Sequence, residues 1–188
     1  MLIVALIAVA FVFAILRGGR LSEMANVQFR YFWLLFVPLL IQLALYSPLS
    51  ARLAIDLSAV PSIYIVSMFA GAVVAWFNRS LPGFPLLLAG LLSNLLVISL
   101  NGGFMPVSAE ARIISGMPPL LGSANNVSAM TNASVLWILG DTLPVPHFIP
   151  LANVYSIGDV LIAVGGVLFV LTVLAPRKHV ALKETLNG

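Results

Sequence analysis

Two aspartates and two asparagines carry most of the chemistry open to this chain. Asp141 and Asp159 each follow a glycine, making two Gly-Asp pairs 18 residues apart. Carboxyls brought close together cannot both ionise easily, so one keeps a proton while the other acts as a base. Such a pair can activate water for hydrolysis of a peptide bond. Asn94 and Asn101 add two amides seven residues apart, on one helix face with Gly90. Converging, Asn94, Asn101, Asp141 and Asp159 would form a polar pocket with the carboxyls at its centre. A plainer reading uses the same residues structurally. Asp159 caps its own helix, where a carboxylate bonds free backbone amides and suits the dipole. Asn94 then joins neighbouring helices, an ordinary role for membrane amides. Spacing alone favours the plainer reading.

Other chemistry is largely excluded. With no cysteine there is no disulfide, thiolate metal site, thiol nucleophile or lipid-modified cysteine. His147 and His179 lie outside the apolar runs and are not placed as haem ligands. No three-ligand metal set and no phosphate-binding glycine loop is present, so neither metal nor cofactor is expected. The net charge of +3 and pI near 9.7 do not indicate nucleic acid, because the bases form no continuous stripe.

The elements that must position these residues follow from composition. Of 188 residues, 61% are hydrophobic and 8% charged, with mean hydropathy +1.11. Nine basic and six acidic side chains cannot cover a 20 kDa globule with a wettable surface. Lipid must be the main solvent. Five apolar runs, 2–16, 31–46, 60–77, 84–100 and 160–175, are read as transmembrane helices. Most are short, so flanking residues or local thinning must complete each crossing. Ser67 and Gly71 form a small-xxx-small pair suited to close packing, and Gln42, after Pro38, should bond a neighbouring helix or a freed carbonyl.

The bases set the orientation. With the N-terminus outside, Arg17, Arg20, Arg30, Arg79, Arg177, Lys178 and Lys183 face the cytoplasm, leaving Arg52 and Arg112 outside. The last three also suit anchoring on anionic lipid. No base precedes the first run and Arg17 and Arg20 follow it, so it reads as a retained span rather than a cleaved signal.

The segment 101–158 then forms an outward cap. Residues 108–115 should make a short helix with Ser108 as N-cap and Glu110 in its first turn, stopped by Pro118 and Pro119. Residues 123–134 read as a solvated polar loop, with two weak glycosylation acceptor patterns at Asn126 and Asn132. Residues 135–140 are too short to span and form an interfacial or re-entrant piece, with Trp137 at headgroup level. Pro144, Pro146 and Pro150 impose an extended connection to the last helix. The expected architecture is all-α integral membrane, a single domain over 1–188. It is a bundle of five transmembrane helices whose cap of short helices, or a re-entrant segment, lies between helices four and five.

The string Asn101-Gly102-Gly103-Phe104-Met105-Pro106-Val107, with Gly140-Asp141 and Ser156-Ile157-Gly158-Asp159, resembles a bacterial family of small multi-pass membrane proteins of unknown function. That likeness implies a bacterial inner-membrane location and no particular activity. Residues 153–165 (NVYSIGDVLIAVG) also resemble the last helix of signal peptidase II, with Asp159 in place of the motif aspartate and Asp141 near the position of the other. The likeness implies an outward-facing aspartyl dyad, and Ser93-Asn94 partly echoes that family's Gly-Asn pair on the preceding helix. Val97 and Ile98 stand where that family has an aspartate and an arginine, and some forty residues are inserted before Asp141.

Three functions follow from these readings. The sequence favours a non-enzymatic accessory or scaffold subunit, surrounded by lipid and packed beside protein partners. The second is an aspartyl membrane hydrolase using Asp141 and Asp159. The third is a lipid- or small-molecule-binding protein or transporter using the polar pocket.

Overall fold

A computed structural model describes residues 2–47 and 56–175. Arg52, Arg177, Lys178, His179 and Lys183, with the positions assigned to them above, lie outside the described residues. Five long helices dominate: α1 (Leu2–Leu16), α3 (Phe36–Leu45), α4 (Val60–Phe77), α5 (Phe84–Leu100) and α7 (Ile157–Val173), with the single turn α2 (Ser22–Ala25) after α1. They pack side by side in the order α1, α7, α5, α4, α3. Among the described residues, α4 alone reaches the 18-residue length and hydropathy needed to cross a membrane; the other four are apolar and shorter.

The observed ends have local causes. The expected run 31–46 begins its α-helix only at Phe36, after a 3-10 turn over Phe32–Leu35 entered through Tyr31 in the left-handed region (φ 57°). Pro38 then falls in the first turn, where its missing N–H breaks no helical bond. The last helix starts at Ile157, earlier than the expected residue 160, because Ser156 and Asp159 close a capping box around its first turn.

Three buried clusters hold the row together. Phe29, Phe84 and Phe169 stack edge to face or tilted where α5 meets α7, with centroids 5.5–6.0 Å apart. Ala10, Ala14 and Val170 seal α1 onto this group. Tyr64, Met68, Val97 and Ile98 fill the α4–α5 seam, and Ala72, Ala75 and Leu88 continue it. Gln42 Nε2 donates to Ser67 Oγ at 3.2 Å across α3 and α4, while Ser67 Oγ donates to the Tyr64 carbonyl at 2.7 Å. Beside them Gly71 of α4 faces Pro38 of α3, with room for a Cβ at ordinary contact distance, so close packing there does not require the glycine.

The cap is partly β, which departs from a cap of short helices. Strand β1 (Met105–Val107) pairs parallel with β3 (Val127–Ala129), and β3 pairs antiparallel with β2 (Ser123–Ala124). Segment 123–134 is therefore not simply a loop. A two-residue turn at Asn125-Asn126, with Asn125 left-handed (φ 53°), reverses the chain between β2 and β3. A second pair joins β4 (Leu143–Pro144) to β5 (Val154–Tyr155), so the proline-rich connection is extended as expected but folded back on itself. The short helix α6 (Ala109–Ile114) forms with Ser108 Oγ accepting from Ala111 N, as read from the sequence. It stops before Pro118, at Gly116 in the left-handed region (φ 75°). Residues Trp137–Leu139 make one 3-10 turn.

Candidate functional site

The string 101–107 builds a shelf for Asp141. Asn101 ends α5, and Gly102 and Gly103 turn the chain with φ of 68° and 90°, values that glycine alone adopts at no steric cost. The chain then runs out as β1. Pro106 has no N–H, but its carbonyl accepts from Asp141 N at 2.9 Å. Ser108 N donates to the Asp141 carbonyl at 2.9 Å, and Val107 and Asp141 form a parallel bridge. Asp141 is thus fixed through its backbone, on extended chain rather than on a helix.

Asp159 is held through its side chain. One carboxylate oxygen accepts from Asn94 Nδ2 at 2.9 Å and the other from Ser156 N at 3.2 Å. Ser156 Oγ donates to Asn94 Oδ1 at 2.9 Å and accepts from Asp159 N at 2.9 Å. Asn94, Ser156 and Asp159 therefore close a ring of hydrogen bonds across the α5–α7 seam, with Asn94 and Ser156 buried. Gly158 makes this possible, since a Cβ there would collide with the Asn94 amide. The capping and helix-joining roles inferred from the sequence are both present, in one network.

The two aspartates also share a cavity of about 320 Å³. Arg112, Asn126 and Asn153 line it with them, beside Val107, Met117, Val127, Val154 and Tyr155. The Asp141 carboxyl makes no hydrogen bond among the described residues. Burial, and secondarily the charge of Asp159, push its pKa up to about 7. Arg112 makes no ion pair among the described residues; its Nε donates to the Pro118 carbonyl at 2.8 Å. Asn126 Nδ2 donates to the Tyr64 hydroxyl at 3.3 Å, which ties the cap to α4.

Of the four residues expected to converge, Asp141 and Asp159 line the cavity, and Asn94 orients Asp159 from behind. Asn101 does not join them. Its amide donates to the carbonyls of Val97 (2.7 Å) and Val135 (2.9 Å), and its oxygen accepts from Val135 N at 2.9 Å. Seven residues along α5 carry it past the cavity, to the helix end. Arg112, Asn126 and Asn153 were missed as site residues. In the sequence Arg112 signals only topology and Asn126 only a weak glycosylation acceptor pattern, while the adjacent Asn125-Asn126 pair is the local signal for the turn that carries Asn126.

On the other side of Asp159 and Tyr155 lies a second recess, an apolar groove of about 210 Å³. Leu2, Ile3 and Leu6 of α1 face Val160, Ala163 and Val164 of α7 across it, under residues 143–145.

These features define a helical protein with a mixed-charge cavity beneath a small β cap. The chain belongs to DUF5317, a family of unknown function, whose family model matches residues 26–171 and so takes in both aspartates, Asn94 and Arg112. It is also similar to an uncharacterised protein of Thermotoga maritima, 27% identical over 166 residues that make up 85% of this chain and 83% of that protein. No solved structure matches it. Neither match is to signal peptidase II, so that likeness rests on residues 153–165 and their surroundings alone.

Proposed function

We propose that this chain is a multi-pass protein of the bacterial inner membrane, N-terminus outside and C-terminus cytoplasmic, whose outward cap binds a ligand in the polar cavity. Exposed apolar side chains on all five long helices support the membrane reading, among them Val9 at 66% and Val66 at 64%. At 17 residues, α5 and α7 each cover about 26 Å at 1.5 Å per residue, so short flanks complete a crossing of roughly 30 Å. At the ends assigned to the cytoplasm, the Arg17 and Arg79 guanidiniums lie over the Phe13 and Trp76 rings, at 4.7 and 4.3 Å, as snorkelling cations do.

One observation carries the binding reading. A chain with few charges places Asp141, Asp159 and Arg112 around a single open cavity, although unpaired charge is costly to bury. An accessory role calls for partner-facing surface, whereas this cavity favours ligand binding, which is therefore put first. The test is native mass spectrometry of protein extracted from bacterial membranes in mild detergent. Wild type should retain a non-protein mass that the Asp141→Asn, Arg112→Gln double variant loses. A bare wild-type chain would overturn the reading.

The raised pKa of Asp141 beside Asp159 favours a second reading, aspartyl hydrolysis, in which Asp141 exchanges a proton near neutrality and Asp159 helps to orient water. That reading requires turnover of an outer-leaflet peptide or ester substrate, abolished by Asp141→Asn in a folded protein.

A further inference from the structure

The polar cavity and the apolar groove meet at Asp159 and Tyr155, which line both. A ligand confined to the cavity would leave the groove unexplained, and one confined to the groove would leave Asp141 and Arg112 unused. The charges narrow the chemistry further. Asp141 and Asp159 offer carboxylate oxygens to a group rich in N–H donors, while Arg112 keeps guanidinium donors free for an anion. A headgroup that is cationic at its tip and anionic nearer its chains satisfies both. The groove is lined almost wholly by aliphatic side chains, and Leu6, Val160 and Val164 are each more than 40% exposed along it. It runs from the cap down α1 and α7, the direction an acyl chain takes from the headgroup level.

We infer that the ligand is a zwitterionic phospholipid with a primary-ammonium headgroup. The ammonium lies between Asp141 and Asp159, the phosphate at Arg112, and an acyl chain in the α1–α7 groove. This assignment rests on the ligand-binding reading above and deepens it. It also predicts discrimination against a quaternary ammonium of the same charge. Three methyl groups replace the N–H donors, leaving the carboxylates without hydrogen bonds they can reach.

The experiment uses full-length protein in nanodiscs of equal parts phosphatidylethanolamine and phosphatidylcholine, with lipid retained on gentle release read by native mass spectrometry. Phosphatidylethanolamine should be retained at least about tenfold over phosphatidylcholine, the ratio expected from one or two charge-assisted hydrogen bonds. Asp141→Asn should bring the ratio toward one. Val164→Trp fills the groove from α7 and Leu6→Trp fills it from α1, so whichever variant keeps the wild-type melting midpoint should lose retained lipid. Soluble phosphoethanolamine should still bind to that variant in calorimetry. Equal retention of the two lipids, or full retention with the groove filled, overturns the assignment. If phosphoethanolamine nevertheless binds, the cavity is a site for a small polar ligand and only the lipid assignment fails. If neither lipid nor phosphoethanolamine is held and no other mass co-purifies, both readings fail.

Discussion

Asp141 and Asp159 have the same side chain and opposite treatment. Asp159 accepts two hydrogen bonds and belongs to the frame, whereas Asp141 is anchored by its backbone and presents an unbonded carboxyl. That contrast produces a pH dependence of defined sign. The folded state raises the Asp141 pKa from 3.8 to about 7, so it binds the proton more tightly than the unfolded chain does. The resulting stability is fully present below about pH 4, falls as pH rises toward 7, and then levels off. Asn at this position cannot ionise. Asp141→Asn should therefore raise the thermal midpoint in detergent at pH 8, leave it nearly unchanged at pH 4, and flatten the profile between. The gain at pH 8 should be on the order of a few kcal/mol. A midpoint that falls at pH 8 would contradict the assigned burial. Asparagines have a different task. Asn78 ends α4 as Asn101 ends α5, each donating to the carbonyl four residues back and pairing with both backbone groups of a distant residue, Arg30 and Val135 respectively. In both, one amide satisfies a helix end and fastens a distant segment to it.

Among the elements, the α5–α7 seam matters most, because it fixes one aspartate while its ends support the cap that fixes the other. The seam depends on small residues. A methyl group at Gly158 would push Asn94 away and break its bonds to both Ser156 and Asp159. Gly158→Ala should lower the thermal midpoint by the equivalent of about 1–3 kcal/mol, the usual range for overpacking. It should also weaken whatever the cavity binds. An unchanged midpoint would mean that the two helices separate more easily than this packing implies. The helices themselves were largely legible beforehand: the runs 2–16, 60–77 and 84–100 coincide with α1, α4 and α5. The strands were not. β1 to β3 are two or three residues each, too short for an alternating pattern, and Pro106 within β1 argues locally against a strand.

Across the whole molecule, the proposal is a membrane protein with one wet end. In that proposal the ends assigned to the cytoplasm carry Arg17, Arg30 and Arg79, and the cap end carries the cavity. A phosphatase reporter fused after Gly188 should be inactive and a fluorescent-protein fusion there should fold, while the same reporters at the N-terminus should behave the other way round. The opposite pattern would place the cap in the cytoplasm and remove the outer leaflet as the source of ligand. Composition and the spacing of apolar runs determine by themselves that helices form, and they are the source of the proposed lipid surroundings and orientation, because these depend on properties summed over many residues. Asp159 as a helix-start residue was readable for a different reason, because its capping partner Ser156 lies only three positions away. The meeting of Asp141 with Asp159, the arrival of Arg112 beside them and the departure of Asn101 to Val135 were decided by tertiary structure alone. Each depends on a parallel pairing or a backbone clamp between segments more than thirty residues apart, which no local pattern encodes.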